Sequence, residues 1–198
     1  MDEDNTEINY WLEKTSKIKE DISGMRDILL LIHNSVDFKD MTDFLNKLPT
    51  DKISYISVTK TYDSLKPYFE KVKKEIYVVD CVSKVLFSRD DTEECIFISP
   101  PGTLYQLTSI IKEEAKKRQS TIVIDSLSQF VSITTPTEEQ ESIYLFSGNV
   151  KEILKDNYCK VVLLYDSDIS KPLRNLPKVH IDRIIKMEVS KDIISWQG

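Results

Sequence analysis

Short runs of β-branched and aliphatic residues alternate along this chain with stretches whose apolar residues fall at helical spacing, and no other feature restricts the fold as much. The runs are predicted as strands at residues 27–33, 53–58, 76–79, 95–99, 121–125 and 160–165. Between them, residues 37–48 carry Phe38, Met41, Phe44, Leu45 and Leu48 at helical spacing, and residues 62–74 carry Leu65, Tyr68, Phe69 and Val72. A helix at 104–118 is marked by Leu104, Leu107, Ile110, Ile111 and Ala115, with Lys116, Lys117 and Arg118 placed against its C-terminal dipole; another is predicted near 138–155. Strands apolar on both faces belong inside a sheet covered on both sides, and helix-long connections let successive strands run the same way through right-handed crossovers. The predicted fold is α/β, a three-layer αβα arrangement around a mainly parallel central sheet.

The two ends depart from this rhythm. Residues 6–22 place Ile8, Trp11, Leu12, Thr15, Ile18 and Ile22 on one face, which predicts an amphipathic helix within residues 1–24 that packs its stripe on the sheet. Residues 183–189 and 193–196, turning at Ser190, Lys191 and Asp192, read as a C-terminal β-hairpin that would add antiparallel strands at one edge. No internal repeat or low-complexity linker divides the remainder, so residues 25–198 form a single predicted domain.

A net charge of -6 and a pI near 5.1 argue against a general nucleic-acid or anionic-membrane binder, which would show a basic patch. Cys81, Cys95 and Cys159 are odd in number, lack CxxC spacing and lie in or beside apolar runs, so buried reduced thiols are expected. His33 and His180 have no zinc-like spacing to Cys or Glu. The opening Met1-Asp2-Glu3-Asp4 is the reverse of a secretory n-region, and the apolar run at 28–32 is far short of the roughly 20 residues that span a bilayer. The expectation is a cytoplasmic protein with no membrane association.

Three predicted strands close on an acid: Asp80, Asp125 and Asp166. In a parallel sheet these would lie along the carboxyl edge, where open α/β sheets place ligands. Clustered carboxylates there either bind Mg²⁺ or serve as caps and turn formers. The run from Thr121 to Ser128, closing in Asp125-Ser126, is the most informative of the three.

The succession of residues 55–59, Tyr77-Val78-Val79-Asp80-Cys81-Val82-Ser83, Ile96-Phe97-Ile98-Ser99-Pro100, Leu107-Thr108-Ser109-Ile110-Ile111-Lys112 and Ile122-Val123-Ile124-Asp125-Ser126-Leu127-Ser128 resembles the RecA/KaiC-like ATPase domains of archaeal type. The resemblance covers residues 25–190. In that family a strand closing in Asp-Ser is the Walker B element, whose Asp orients the magnesium shell of a bound nucleotide. By resemblance, Asp125 and Ser126 are vestigial Walker B candidates; no cofactor is expected to bind, Mg²⁺ with a nucleotide being what such a site would otherwise take.

The Walker A half is missing. The family carries it after the first strand, where this chain has Ile32-His33-Asn34-Ser35-Val36-Asp37-Phe38-Lys39-Asp40-Met41-Thr42, with no glycine and no Gly-Lys-Ser/Thr. Phosphate loops need glycines so that backbone N–H groups approach the anion closely. This chain has four glycines in all, and Lys39 is flanked by Asp37 and Asp40. Ser99-Pro100-Pro101-Gly102-Thr103 copies the middle of a P-loop, but Leu104-Tyr105-Gln106 follows where Gly-Lys-Thr would complete it; the prolines are a helix start signal. Asp166-Ser167-Asp168 resembles a dehalogenase-type phosphatase loop but lies too late in the chain and reads as a turn. Cys81 and Ser126 have no histidine base or nucleophile elbow nearby in sequence.

These readings imply a catalytically inactive RecA/KaiC-like domain, a pseudo-ATPase that regulates or adapts through protein–protein contacts. Family resemblance points to an active RecA-like ATPase or a signalling protein as partner, and to self-association through a sheet edge or the N-terminal helix. No catalytic residue is assigned. The alternative is a cation-, nucleotide- or metabolite-binding α/β enzyme that uses the acidic strand ends Asp80, Asp125 and Asp166.

Overall fold

A computed structural model describes residues 27–33, 38–131, 136–166 and 180–187. The N-terminal helix expected within residues 1–24 lies outside them, as does the second hairpin arm at 193–196. In chain order the elements are β1 (Ile28–His33), α1 (Phe38–Lys47), β2 (Lys52–Ser57), α2 (Tyr62–Phe69), β3 (Glu75–Asp80), α3 (Ser83–Leu86) and β4 (Cys95–Phe97). They continue with α4 (Leu104–Lys117), β5 (Thr121–Asp125), α5 (Ser128–Val131), α6 (Pro136–Asn157), β6 (Lys160–Asp166) and β7 (Arg183–Met187). The seven strands form one sheet in the order β4-β3-β2-β5-β6-β1-β7, and every neighbouring pair is parallel.

Side-chain alternation along the strands divides the core into two layers. Leu29, Leu31, Ile53, Tyr55, Val123, Val162 and Leu164 face Met41, Phe44, Leu45 and Leu48 of α1 with its flank and Leu65 of α2. On the opposite face, Ile28, Leu30, Ile56, Ile122, Ile124, Val161, Leu163 and Tyr165 meet Leu107, Ile111 and Ala115 of α4 and Ile143, Phe146, Val150 and Leu154 of α6. Both faces of β1, β5 and β6 are therefore dry, which is why these strands read as unbroken apolar runs.

Besides a shorter β4 and the unexpected single turn of α5, three details differ from the sequence expectation. The second helix stops at Phe69 rather than continuing to 74, and Pro67 within it can donate no N–H to the Asp63 carbonyl. The chain instead leaves through tight turns, with the Lys71 and Val72 amides bonding the carbonyls of Tyr68 and Phe69. The predicted hairpin arm is a strand, but it joins the edge of β1 in parallel, with Leu29 opposite Arg183 and His33 opposite Met187. Its start is fixed by Asp182, whose carboxylate accepts the Asp27 and Ile28 amides at 3.1 and 2.8 Å and pairs with Lys151 at 3.1 Å. The third detail is α3, a single turn that no periodic pattern marks.

At the other edge, β4 is closed by its own preceding loop. The Phe97 amide donates to Asp91 at 2.9 Å, and the Thr92 amide to the Cys95 carbonyl at 2.8 Å. Engaging the outer N–H and C=O groups in this way removes the template for strand addition by another chain. No helix among the described residues is long and apolar enough to cross a membrane.

Candidate functional site

The chain leaves β2 toward β3 on one side and β5 toward β6 on the other, and the helices that follow, α2 and α6, lie on opposite faces. The carboxyl ends of β2 and β5 therefore border a topological switch point, the crevice where open α/β sheets bind ligands. Register places Ser57 beside Asp125 on one side and beside Asp80 on the other.

Asp125 is nearly buried, with 5% of its side chain exposed, yet its carboxylate does not face an open ligand space alone. The Tyr55 hydroxyl donates to Oδ2 at 2.7 Å, Lys60 Nζ reaches the same oxygen at 3.0 Å, and Thr59 Oγ1 lies 3.5 Å from Oδ1. Tyr55 is fully buried, edge-on to Phe69 with ring centroids 4.9 Å apart. Burial, then the Asp125 charge, push its phenol well above the ordinary tyrosine value, so it stays a neutral donor. Lys60 is delivered by a tight turn: the Ser57 hydroxyl donates to the Lys60 carbonyl at 2.6 Å and the Lys60 amide approaches Ser57 Oγ at 3.2 Å. The Val58 amide then bonds the Asp125 carbonyl at 2.7 Å, locking the turn against β5.

Ser126 turns away from this crevice. The Asp125–Ser126 peptide is cis, and Ser126 Oγ lies 2.8 Å from Ser128 Oγ and 3.3 Å from the Leu164 carbonyl. Ser128 Oγ accepts the Asp166 amide at 2.7 Å, and the Leu127 amide donates to Leu164 at 2.9 Å. The serines after β5 therefore stitch its end to the end of β6.

Asp80 is a clamp. Its Oδ1 accepts the Val82 and Ser83 amides at 2.7 and 2.8 Å, while Oδ2 accepts the Tyr62 amide and the Ser83 hydroxyl, each at 2.6 Å. One carboxylate thus holds the starts of α2 and α3 together and occupies the N–H groups that an anion would otherwise use. Asp166 sits at the same sheet edge but two strands beyond β2, opposite His33 of β1. Among the described residues, no group of three His, Cys, Asp or Glu side chains converges in a way that could hold a metal ion.

The P-loop decoy is a helix cap. Thr103 Oγ1 accepts the Gln106 amide at 3.2 Å, and Gln106 Oε1 accepts the Gly102 amide at 2.6 Å, an arrangement that satisfies one amide in the first turn of α4 and one just before the cap. In the Walker A slot, residues 34–37 lie outside the described residues, while His33, Met41 and Thr42 are buried. The three cysteines are buried and unpaired with one another. Burial pushes the Cys81 and Cys95 thiols up to about 12, so neither is a thiolate nucleophile at neutral pH.

Sequence reasoning located Asp125 but missed Tyr55 and Lys60, which decide its chemistry. Their signal is a lysine just past a strand and a tyrosine two residues before its end, and it carries meaning only once β2 is known to neighbour β5. No protein-family model matches the chain, and no curated protein matches it.

Proposed function

We propose that this protein is a degenerate RecA/KaiC-like domain without ATP hydrolysis that acts as a regulatory or adaptor protein through protein–protein contacts in the cytoplasm. The observation that carries the reading is the internal engagement of the Asp125 carboxylate by Lys60 and Tyr55. A Walker B acid must be free to orient the water shell of Mg²⁺. Here a lysine ammonium stands at 3.0 Å, in the place and with the charge of a cation, and a phenol takes a further lone pair. Capture of Mg²⁺ would require displacing Lys60 and leaving a second positive charge beside the metal. The glycine-free segment after β1 supports the same reading, since it supplies no close N–H donors for phosphate. An active RecA-like ATPase or a signalling protein is the partner class that the family resemblance implies.

Isothermal titration with MgATP and MgADP tests the proposal. No heat of binding and no phosphate release are expected, either for the native chain or for Lys60→Ala. Micromolar MgATP binding coupled to turnover that Asp125→Ala abolishes would overturn it.

A further inference from the structure

The acid that closes β3 also aims a surface. By fixing the start of α3, Asp80 leaves Val85, Leu86 and Phe87 consecutive and outward, with 68%, 58% and 55% of their surfaces exposed. Three adjacent exposed apolar residues are unfavourable in water unless something covers them. The aromatic member is held in place. Arg89 lies over the Phe87 ring at 5.6 Å and over Phe97 at 5.8 Å, and its guanidinium forms a two-pronged pair with Asp63, one prong at 2.8 Å. A rigid aromatic anchor loses little conformational freedom when a partner covers it, which is the property of an interface hot spot.

The rim of this patch fixes the chemistry of its partner. Residues 84–94 carry Lys84 and Arg89 against Asp90, Asp91, Glu93 and Glu94, and Arg89 is already neutralised by Asp63. Asp91 and Glu94 accept from the uncharged Phe97 amide and Tyr62 hydroxyl, and Asp90, Glu93 and Lys84 are exposed with no hydrogen bond or ion pair among the described residues, so the loop keeps an excess of acid even with Lys84 counted. An apolar centre with an acidic rim is complementary to a basic, apolar segment and repels a second copy of itself. Because the Asp91 and Thr92 contacts close the edge of β4, recognition must use side chains rather than strand addition.

We propose that Val85, Leu86 and Phe87, followed in the same loop by the exposed acids Asp90 and Glu93, form the docking site for a protein partner that presents a basic segment with apolar anchors. The inference rests on the adaptor reading above and names the surface that such an adaptor uses.

The test uses the full chain and three labelled synthetic peptides, read by fluorescence anisotropy: an amphipathic peptide of leucines and lysines at helical spacing, its leucine and glutamate counterpart, and an all-lysine peptide. The leucine–lysine peptide is expected to bind, with affinity falling as salt rises, and the other two to bind at least about tenfold more weakly. Phe87→Ser and Leu86→Ser, each compared at a temperature well below its own measured melting point, should weaken binding about tenfold or more. Asp90→Lys with Glu93→Lys should do the same at low salt. Absence of binding by the leucine–lysine peptide, or equal binding by all variants, would overturn the docking site. Those outcomes leave the pseudo-ATPase reading standing, because that reading is tested separately by nucleotide binding and turnover.

Discussion

Replacing Lys60 with methionine keeps the aliphatic stem and removes the charge that faces Asp125. At 3.0 Å the Coulomb attraction amounts to about 5.5 kcal/mol at an effective dielectric near 20 and about 1.4 kcal/mol at that of water. Asp125 has 5% of its side chain exposed and Lys60 has 45%, so solvent screens one end of the pair and the value falls toward the lower figure. The Tyr55 hydroxyl still donates to the carboxylate after the substitution and limits the penalty of a buried, unpaired charge. Lys60→Met is therefore expected to destabilise the fold by about 2 kcal/mol. Asp125→Asn should cost a similar amount by itself and much less in the Lys60→Met background, a coupling of about 1–2 kcal/mol in a double-mutant cycle. Urea unfolding of the four proteins, with the midpoint shift read at constant slope, measures each term. Additive single effects, with coupling below about 0.5 kcal/mol, would show that Lys60 does not neutralise Asp125 and would remove the main support for the proposed pseudo-ATPase reading.

Two further substitutions probe the carboxylates outside the crevice. Asp80→Ala removes the acceptor for three amides and one hydroxyl at the starts of α2 and α3 and should cost about 3–4 kcal/mol in urea unfolding; a loss below about 1 kcal/mol would refute the clamp. Glu114 is buried in α4 with Arg118 Nε 3.5 Å away, and burial raises its carboxyl above the ordinary 4.5 despite the opposing pull of Arg118, Lys117 and the Ser54 hydroxyl. Because the folded chain then holds a proton that the unfolded chain has released, stability falls as pH rises from 4.5 through the raised value. Glu114→Gln lacks this loss, so its stability relative to the native chain should grow over that pH range, and a gap that stays constant or narrows would refute the assignment.

How much of this molecule is legible in the residues depends on the distance over which the information is written. The apolar runs at 28–32 and 122–124 announce strands buried on both faces, and the helical spacing of Leu107, Ile111 and Ala115 announces α4, because each pattern is complete within a few turns of chain. Helix-length connections then require parallel neighbours, as every described pairing shows. The single turn of α3 is different: its stability comes from Asp80 rather than from its own four residues. The direction of β7 is likewise set by its docking on β1, since an isolated five-residue strand has no intrinsic orientation.

By itself, then, the sequence determined the layers, the strand and helix types, the acid at the close of β5 and the lack of a glycine-rich phosphate loop, all properties of local period and residue identity. Only the tertiary structure decided what that acid does. Tyr55 and Lys60 come from β2 and its following turn, far from Asp125 along the chain, and reach it because the sheet places β2 against β5. Strand order arises from the joint burial of two faces and from crossover geometry, neither of which any one segment encodes. A carboxylate's role follows from the charges within a few ångströms of it, and for Asp125 those are assembled only when the sheet closes.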